Sequence, residues 1–239
     1  MKITKFILTI VLTLVLFGSD ISFAQVKTRD AAQFYAGAGY TFVIFNNSRM
    51  TDSYPLFSKS GDFLKEINFF GGVKFNKSFS LEFSPSFMFS NTATEKGFAY
   101  TGTAGTEKFY VPNQTNFLSV PLNVKGKYYP FTLDLLSFIS NMYVGFEAGT
   151  VYIKESMNNY IYTDNTMSSF VGAQKSENSM WKPDFGLSVG FGSTAKFGYG
   201  FEATYRFIPL DGDNKFPLTT SMAKDMNSIN LSLKLIFGL

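Results

Sequence analysis

The strongest constraint on the fold is an alternation of apolar and polar residues with a period of two. The stretch SLEFSPSFMFS, residues 80–90, places Leu81, Phe83, Phe87 and Phe89 at every second position, with mostly polar residues between them. Successive side chains of a β-strand point to opposite faces, so this pattern predicts a strand with one apolar face. The pattern leaves open whether that face contacts a protein core or lipid.

The same alternation recurs along the chain and predicts eight strands. We place them at about 33–45, 63–75, 80–90, 116–129, 141–154, 181–192, 196–208 and 227–239. Each is long enough to cross a bilayer when tilted, which takes about 9–11 residues. Long polar loops are predicted at 46–62, 91–115, 155–180 and 209–226, and shorter links separate them. The predicted fold is therefore all-β, an eight-stranded antiparallel up-and-down transmembrane β-barrel with tight turns at one rim.

The direction of the two faces follows from side-chain size. A lipocalin has the same strand count but points its apolar side chains inward around a ligand. Here 29 residues are phenylalanine and 18% are aromatic, and the apolar face is bulky on every predicted strand. So many large rings exceed what one small barrel can enclose, whereas the glycines and serines of the other face suit a narrow interior. We therefore predict that the apolar faces contact lipid.

The polar faces carry charges of both signs. An isolated charge in a closed interior is very unfavourable, so these groups are expected to pair and to fill the barrel. The predicted interior network consists of Glu66, Lys74, Glu82, Lys125, Lys127, Glu147, Asp184, Glu202, Arg206 and Lys234. Pro85 and Pro121 lie inside predicted strands, where proline removes a hydrogen bond between strands, so we predict β-bulges at both positions.

The N-terminal segment has the features of a secretory signal. Two lysines precede a run of uncharged residues at 6–17, and a small-x-small pattern ends at Ala24. The run is short for a membrane-spanning helix, which needs about 20 residues. We predict a cleaved signal peptide at 1–24, a barrel domain at 25–239 and localisation in the outer membrane.

Several chemistries are disfavoured by composition. The chain has no cysteine and no histidine, which removes thiolate metal sites and the commonest general base. A net charge of +3 is too small to indicate nucleic-acid binding. The sequence DGDN at 211–214 carries oxygen ligands but lacks the longer ligand series of a calcium loop, so it is predicted to be a surface turn. We predict a protein that is not an enzyme, with no catalytic residue, cofactor site or metal site.

The predicted loops contain aromatic residues that are candidates for binding. The main candidates are Tyr100, Phe109, Tyr110, Tyr160 and Tyr162. Exposed aromatic side chains in loops often anchor a partner. The alternative is that these rings pack on one another or lie in the lipid interface, and the sequence does not decide between the two.

Two stretches resemble a known family. FLSVPLNVKGKYYP at 117–130, followed by MYVGFEAG at 142–149, resembles paired strands of the PorT-like outer-membrane β-barrel family, and residues 183–207 are similar to the next hairpin of that family. The resemblance implies an outer-membrane barrel. The family includes barrels linked to protein secretion, and it has no catalytic motif that would assign site residues here.

These observations lead to one expected function and two alternatives. We expect a non-enzymatic outer-membrane barrel with a filled interior, which is structural or binds a partner through its four long extracellular loops. The alternatives are a narrow or gated channel for small solutes and an accessory role in protein secretion. The expected partners are outer-membrane lipid and another envelope protein or extracellular ligand, with no role for nucleic acid.

Overall fold

The computed structural model describes residues 32–57, 64–91, 96–102, 105–131, 137–192 and 197–239. The predicted signal peptide lies outside these residues, as does part of the link predicted at 130–140. Within the described ranges, no helix has the length and apolar character needed to span a membrane.

The described residues form nine strands and three short helices. The strands are β1 (Gln33–Phe45), β2 (Lys65–Lys74), β3 (Phe79–Ser90), β4 (Phe98–Thr101), β5 (Glu107–Tyr128), β6 (Met142–Tyr162), β7 (Phe170–Gly192), β8 (Gly198–Phe207) and β9 (Ser228–Gly238). The helices are α1 (Ser48–Ser53), α2 (Ser137–Ser140) and α3 (Thr219–Met222). The short strand β4 is the one that the sequence did not predict.

Eight of the strands close into a ring. The order is β3-β2-β1-β9-β8-β7-β6-β5, and β5 pairs back onto β3, with every neighbouring pair antiparallel. The short strand β4 stands outside this ring and pairs with the first residues of β5, Glu107 to Tyr110, without interrupting the ring. The predicted eight-stranded antiparallel up-and-down barrel is confirmed.

The apolar face of each strand points outward. On β3, the alternating apolar residues Leu81, Phe83, Phe87 and Phe89 are between 37% and 52% exposed. From Phe79 to Phe89, ten steps of about 3.3 Å on a strand tilted by about 40° span about 25 Å, the height of the apolar band of a transmembrane barrel. This apolar belt therefore faces the hydrocarbon core of a membrane.

An aromatic pair marks the upper edge of the belt on β6 and β7. The rings of Tyr152 and Trp181 lie 5.2 Å apart on the outer face, as in an interfacial aromatic girdle. Immediately above them, Lys154 forms an exposed ion pair of 2.7 Å with Glu177. Outward-facing charges replace apolar residues here, so the membrane boundary lies between these two pairs.

Three strands, β5, β6 and β7, continue far above this boundary. The sequence predicted a long loop at 155–180, and this prediction is wrong, because β6 runs to Tyr162 and β7 begins at Phe170. The loop predicted at 91–115 is also partly strand, since β4 pairs there with the first residues of β5. We call this upper part of β4, β5, β6 and β7 the protruding sheet.

The predicted bulges at Pro85 and Pro121 are wrong. Pro85 lies opposite Leu122 and Met88 opposite Ser119, so the register between β3 and β5 is the same on both sides of the prolines. The register shifts of the described strands lie in the protruding sheet instead, between Pro112 and Gln114 and between Ile161 and Tyr162.

The turn between β2 and β3 shows how the tight rim is built. The side-chain oxygen of Asn76 accepts hydrogen bonds from the backbone N–H groups of Ser78 and Phe79, at 2.8 and 2.9 Å. An asparagine that bonds to the backbone two residues ahead stabilises such turns. Both ends of the described barrel lie at this rim, because Gln33 is opposite Lys74 at the end of β2 and Gly238 is opposite Tyr35.

Candidate functional site

The middle of the barrel interior is filled by acidic and basic side chains, which we call the charge layer. Its members are Glu66, Glu82, Lys125, Lys127, Glu147, Asp184, Glu202, Arg206 and Lys234, all buried. They come from β2, β3, β5, β6, β7, β8 and β9 and point inward because they occupy alternate positions on each strand. Five carboxyl groups thus face four cationic groups within one closed ring of strands.

Arg206 is the centre of one half of the charge layer. Its terminal nitrogens donate to both carboxylate oxygens of Glu66, at 3.1 and 3.3 Å, a bidentate arrangement. Its Nε lies 3.6 Å from Asp184 and 4.0 Å from Glu147. The hydroxyl of Ser86 donates to the same Glu66 at 2.8 Å. One guanidinium therefore holds three carboxyl groups from three different strands.

Lys125 and Glu202 organise the other half. Lys125 donates to Glu202 at 2.5 Å and lies 2.9 Å from Glu147. The phenol of Tyr143 donates to the second oxygen of Glu202 at 2.6 Å. Because Glu147 contacts both Lys125 and Arg206, the two halves form one network across the interior.

Glu82 links the network to the lower part of the barrel. It pairs with Lys127 and lies 3.5 Å from Lys234, whose ammonium is 3.1 Å from Glu202. The Lys127 ammonium also lies 4.8 Å from the centre of the Tyr143 ring, within reach of a cation–π contact. Lysines on β5 and β9 are thus tied to acids on β3 and β8.

Lys74, the tenth residue of the predicted network, lies below the charge layer. Its ammonium sits 4.1 Å from the centre of the Tyr129 ring. Tyr129 is part of a buried lower layer, which also contains Tyr35, Phe70, Tyr143 and Ile236. The interior is therefore lined by apolar and aromatic groups near the tight rim, beneath the charges.

Glycine makes room for this filling at two positions. A Cβ atom on Gly186 would lie 2.4 Å from the carboxylate of Glu147, and one on Gly37 would lie 2.3 Å from the ring of Phe70. Both distances are too short for real contacts, so each glycine leaves the space that its bulky neighbour fills. A cavity within the charge layer has a volume of about 20 Å³, room for about one water molecule.

Above the charge layer the interior is closed by an apolar plug. The plug consists of residues 46–57, which include α1, and residues 208–226, which include α3. Its buried apolar residues are Met50, Tyr54, Ile208, Leu210, Leu218, Ala223 and Met226. They pack against inward-facing apolar side chains of the strands, Val43, Phe45, Met88, Phe117, Val151, Ile153 and Met157. The plug is a second, chemically different closure of the same barrel.

One carboxylate joins the two segments of the plug to the barrel wall. Glu155 on β6 is fully buried and accepts a hydrogen bond from the phenol of Tyr54 at 2.6 Å. It also accepts from the backbone N–H groups of Thr219 and Thr220, at 3.2 and 2.8 Å, and from the Thr220 hydroxyl at 2.5 Å. The Thr219 hydroxyl donates to Ser53 at 2.7 Å and connects α3 directly to α1. We call Glu155 the latch.

The five aromatic candidates divide into two groups in the protruding sheet. Tyr100 and Tyr110 are buried against each other, with ring centres 5.4 Å apart, and burial raises the pKa of both phenols. Tyr160 and Tyr162 instead form edge contacts of 5.9 and 5.7 Å with Phe170 on the outer face. Phe109 lies directly opposite Tyr162 in the sheet and is half-buried.

The tip of the β6–β7 hairpin is held by a single side chain. The carboxylate of Asp164 accepts hydrogen bonds from the hydroxyls of Thr166 and Ser168 at 2.6 and 2.8 Å, and from their backbone N–H groups at 2.9 and 3.2 Å. These bonds hold the pKa of the Asp164 carboxyl well below its usual range. The protruding sheet therefore ends in an ordered turn.

The network predicted from the sequence leaves out Glu155 and Tyr143, and it does not include Asn123, although the alternation places Asn123 on the inward face. Asn123 donates to Asp184 at 2.8 Å, and its inward position follows from the same alternation that places Lys125 inside. The same alternation puts Tyr143 on the inward face, two residues before Gly145, where its phenol reaches Glu202. Glu155 lies in the segment predicted as a loop, and the alternation of β6, extended by two residues beyond Ile153, places it on the inward face.

Comparisons with known proteins give matches at the level of overall structure. No protein-family model matches the chain, and no curated protein matches its sequence. Among solved structures, Ail, the attachment invasion locus protein of Yersinia pestis, is 11% identical over 87% of this chain and 97% of its own, with a TM-score of 0.43. Neisserial surface protein A is 11% identical over 86% and 96%, with a TM-score of 0.40. The outer membrane protein OprG from Pseudomonas aeruginosa is 10% identical over 90% and 99%, with a TM-score of 0.42.

Proposed function

We propose that this protein is a non-enzymatic outer-membrane barrel with a closed interior, which binds a protein partner through its protruding sheet. In this proposal the chain is exported by the signal peptide predicted at 1–24, and the protruding sheet faces the outside of the cell. The apolar belt and the aromatic pair of Tyr152 and Trp181 support insertion in a membrane.

The observation that carries the closed-barrel proposal is the filling of the interior at successive levels. The charge layer leaves a cavity of about 20 Å³, and the plug covers it with fully buried apolar side chains such as Leu218 and Met226. A hydrated ion pathway needs a continuous aqueous lumen, which eight-stranded barrels rarely leave. The channel alternative would require both closures to open together.

A non-enzymatic role is supported by the use of the acidic side chains. Glu66, Glu82, Glu147, Asp184 and Glu202 each contact a cationic group of the charge layer and are covered from solvent. The chain has no histidine or cysteine to act as base or nucleophile. These carboxylates therefore hold the barrel together in this proposal, and none is assigned a chemical step.

The protruding sheet offers an edge and a face for a partner. β7 pairs with β8 only from Phe185 to Gly192. Within the described residues, the earlier part of β7 therefore has β6 as a neighbour on one side and no strand on the other. Phe170 and Val171 at the start of this edge are 61% and 51% exposed. Exposed edges of this kind pair with an added strand of another protein, and the neighbouring aromatics provide anchors.

A photocrosslinking experiment in the native outer membrane tests this proposal. A photoreactive residue replaces Val171 at the edge, and a second variant carries it at Phe146, which faces lipid and is 54% exposed. We expect one discrete protein adduct from position 171 and none from position 146. Shortening the hairpin by removal of 158–175 should abolish binding of that partner while the barrel still folds. Absence of a protein adduct at position 171 would contradict the partner-binding proposal.

An accessory role in protein secretion is supported by the PorT-like resemblance of residues 117–130 and 142–149 alone. The photocrosslinking experiment also addresses this alternative, because identification of the adduct as a component of a secretion machine would favour it. A partner outside the secretion machinery would remove its support.

A further inference from the structure

A polar crevice lies above the charge layer, between the plug and the edge of β7. It is formed between the edge of β7 at residues 178–180 and the loop at 211–221, and its volume is about 190 Å³. Side chains that line it include Asn178, Asp211, Asp213, Lys215, Phe216 and Ser221. The crevice is separate from the charge layer and from the exposed start of β7.

The loop that forms one wall is held in place by hydrogen bonds. The phenol of Tyr100, on β4, donates to the backbone oxygen of Asn214 at 2.9 Å. The N–H of Asn214 donates to the backbone oxygen of Ser221 at 3.1 Å, and the N–H of Phe216 donates to the Ser221 hydroxyl at 3.2 Å. The wall is therefore formed before any ligand arrives, which reduces the entropy lost on binding.

The charges of the crevice are balanced. Lys182 contacts Asp211 at 2.6 Å, and Lys215 contacts Asp213 at 2.8 Å. A metal ion would have to displace both ammonium groups from the carboxylates, and an anion would meet two carboxylates. The electrostatics therefore favour a neutral ligand that offers both hydrogen-bond donors and acceptors.

An aromatic ring completes the lining. Phe216 is 39% exposed at the crevice, although its neighbour Leu218 is fully buried in the plug. Carboxylates, an amide and a hydroxyl around an exposed ring match a sugar, which has hydroxyl groups at its rim and an apolar C–H face. The volume is below the ~300 Å³ at which pockets for drug-sized ligands begin, so it suits one sugar ring.

We propose that this crevice binds one neutral hexose unit, with the C–H face of the sugar on Phe216 and its hydroxyls on Asp211, Asp213 and Asn178. The crevice lies just above Trp181, at the level of the membrane interface. The sugar therefore comes either from the headgroup of a glycolipid or from a free saccharide outside the cell. The proposal is independent of the partner-binding function.

Titration of folded protein with defined sugars tests the proposal. Residues 25–239 are folded in an amine-oxide detergent, because alkyl-glycoside detergents would themselves carry the sugar. The probes are the methyl glycosides of glucose, galactose and mannose, with methyl glucuronide and calcium chloride as charged comparisons. Binding is followed by saturation-transfer NMR and calorimetry. We expect saturable millimolar binding of at least one neutral glycoside and at least tenfold weaker binding of the glucuronide.

Matched aromatic variants locate the binding site. Phe216→Ala should weaken binding of the neutral glycoside at least tenfold, whereas Phe170→Ala, which removes an exposed ring of the protruding sheet, should leave it within twofold. Circular dichroism checks that both variants keep their β-structure. To distinguish the two sources, the methyl and octyl glycosides of the sugar that binds are compared. Tighter binding of the octyl form assigns a glycolipid headgroup, and equal binding assigns a free saccharide.

Three results would overturn the proposal. The first is absence of saturable binding by all three neutral glycosides. The second is binding that Phe216→Ala and Phe170→Ala weaken equally, which would place the sugar elsewhere. The third is calcium or glucuronide binding as tight as that of the neutral sugars, which would show that the charge balance of the crevice does not select the ligand.

Discussion

Two layers close the interior of this barrel, and they do so with opposite kinds of interaction. The charge layer consists of ion pairs between side chains of the strands themselves, and each pair joins different strands. The plug consists of apolar side chains from two connecting segments, packed on the strands above. The first layer belongs to the barrel wall, whereas the second is attached to it.

The difference predicts how each layer responds to change. A buried ion pair needs both partners in place, because removal of one leaves an uncompensated charge in a medium of low dielectric constant. An apolar cluster responds to lost volume and can relax locally. We therefore expect damage to the charge layer to destabilise the whole barrel, and damage to the plug to loosen residues 46–57 and 208–226 while the strands remain paired.

The largest effect is expected from Arg206→Ala. Three carboxyl groups, from Glu66, Glu147 and Asp184, would lose their shared cation, so the free energy of unfolding should fall by about 3–5 kcal/mol. Denaturant titration of the barrel in lipid vesicles measures this. Arg206→Lys keeps the charge and should recover part of the loss. A decrease below about 1 kcal/mol would show that the charge layer does not hold the strands together.

Leu218→Ala should have a smaller and local effect. Leu218 is fully buried in the plug, and its truncation leaves a cavity that costs about 2–4 kcal/mol of local stability. Hydrogen exchange should become faster in residues 46–57 and 208–226 and remain unchanged in the barrel strands. Leu233→Ala, on the lipid-facing surface, is the matched control and should leave the plug protected. Equal loss of protection in β1 and β9 would mean that plug and barrel unfold as one unit.

The hydrogen bonds of Glu155, the latch, are expected to stabilise the plug less than its apolar packing does. Glu155→Gln keeps the shape of the side chain but removes the charge that four donors approach, so we expect a local loss of about 1–2 kcal/mol. Limited proteolysis should cut the plug segments sooner than in the original protein. Glu177→Gln, at an exposed ion pair, should show no change. An unchanged cleavage pattern in Glu155→Gln would show that Glu155 does not hold the plug segments in place.

The smallest effect concerns Asp213, in the loop of the plug that lines the crevice. Hydrogen bonds from Lys215 and Ser221 lower the pKa of Asp213 to about 2, below its ordinary value of 3.8. Because the folded value is the lower one, the stabilisation is present above about pH 4 and is lost as the pH falls through about 2. NMR titration of the Asp213 carboxyl carbon should give a midpoint near 2, and Ser221→Ala should move it upward. A midpoint near 3.8 would contradict these bonds.

The wall of the barrel could be predicted from the sequence, because lipid contact imposes a strict alternation on every strand. Phe83 and Phe87 face outward and Glu82 inward for the same reason. Above the membrane this constraint ends, so the upper parts of β6 and β7 carry polar residues on both faces, and the pattern predicts a loop where the structure has strands. The prolines misled the prediction because Pro85 and Pro121 are accommodated without a shift in register.

The plug could not be predicted, for a different reason. α1 has six residues and α3 has four, too few for a helical pattern to be recognised. The packing of Tyr54 on Phe117, with ring centres 4.6 Å apart, joins residues that are far apart in the chain and carries no local signal. The inward positions of Phe70 and Phe117 likewise break the rule that apolar residues face lipid, because below and above the charge layer the interior itself is apolar.

The most direct test of the closed interior is the conductance of residues 25–239, folded and inserted into planar lipid bilayers. We expect no channel steps from protein whose insertion is verified, because the charge layer and the plug close the lumen independently. Glu155→Gln, which loosens the plug alone, should also be silent, since the charge layer below it remains intact. Steady, discrete conductance steps from the unaltered protein would contradict a closed interior and establish the lumen as a channel.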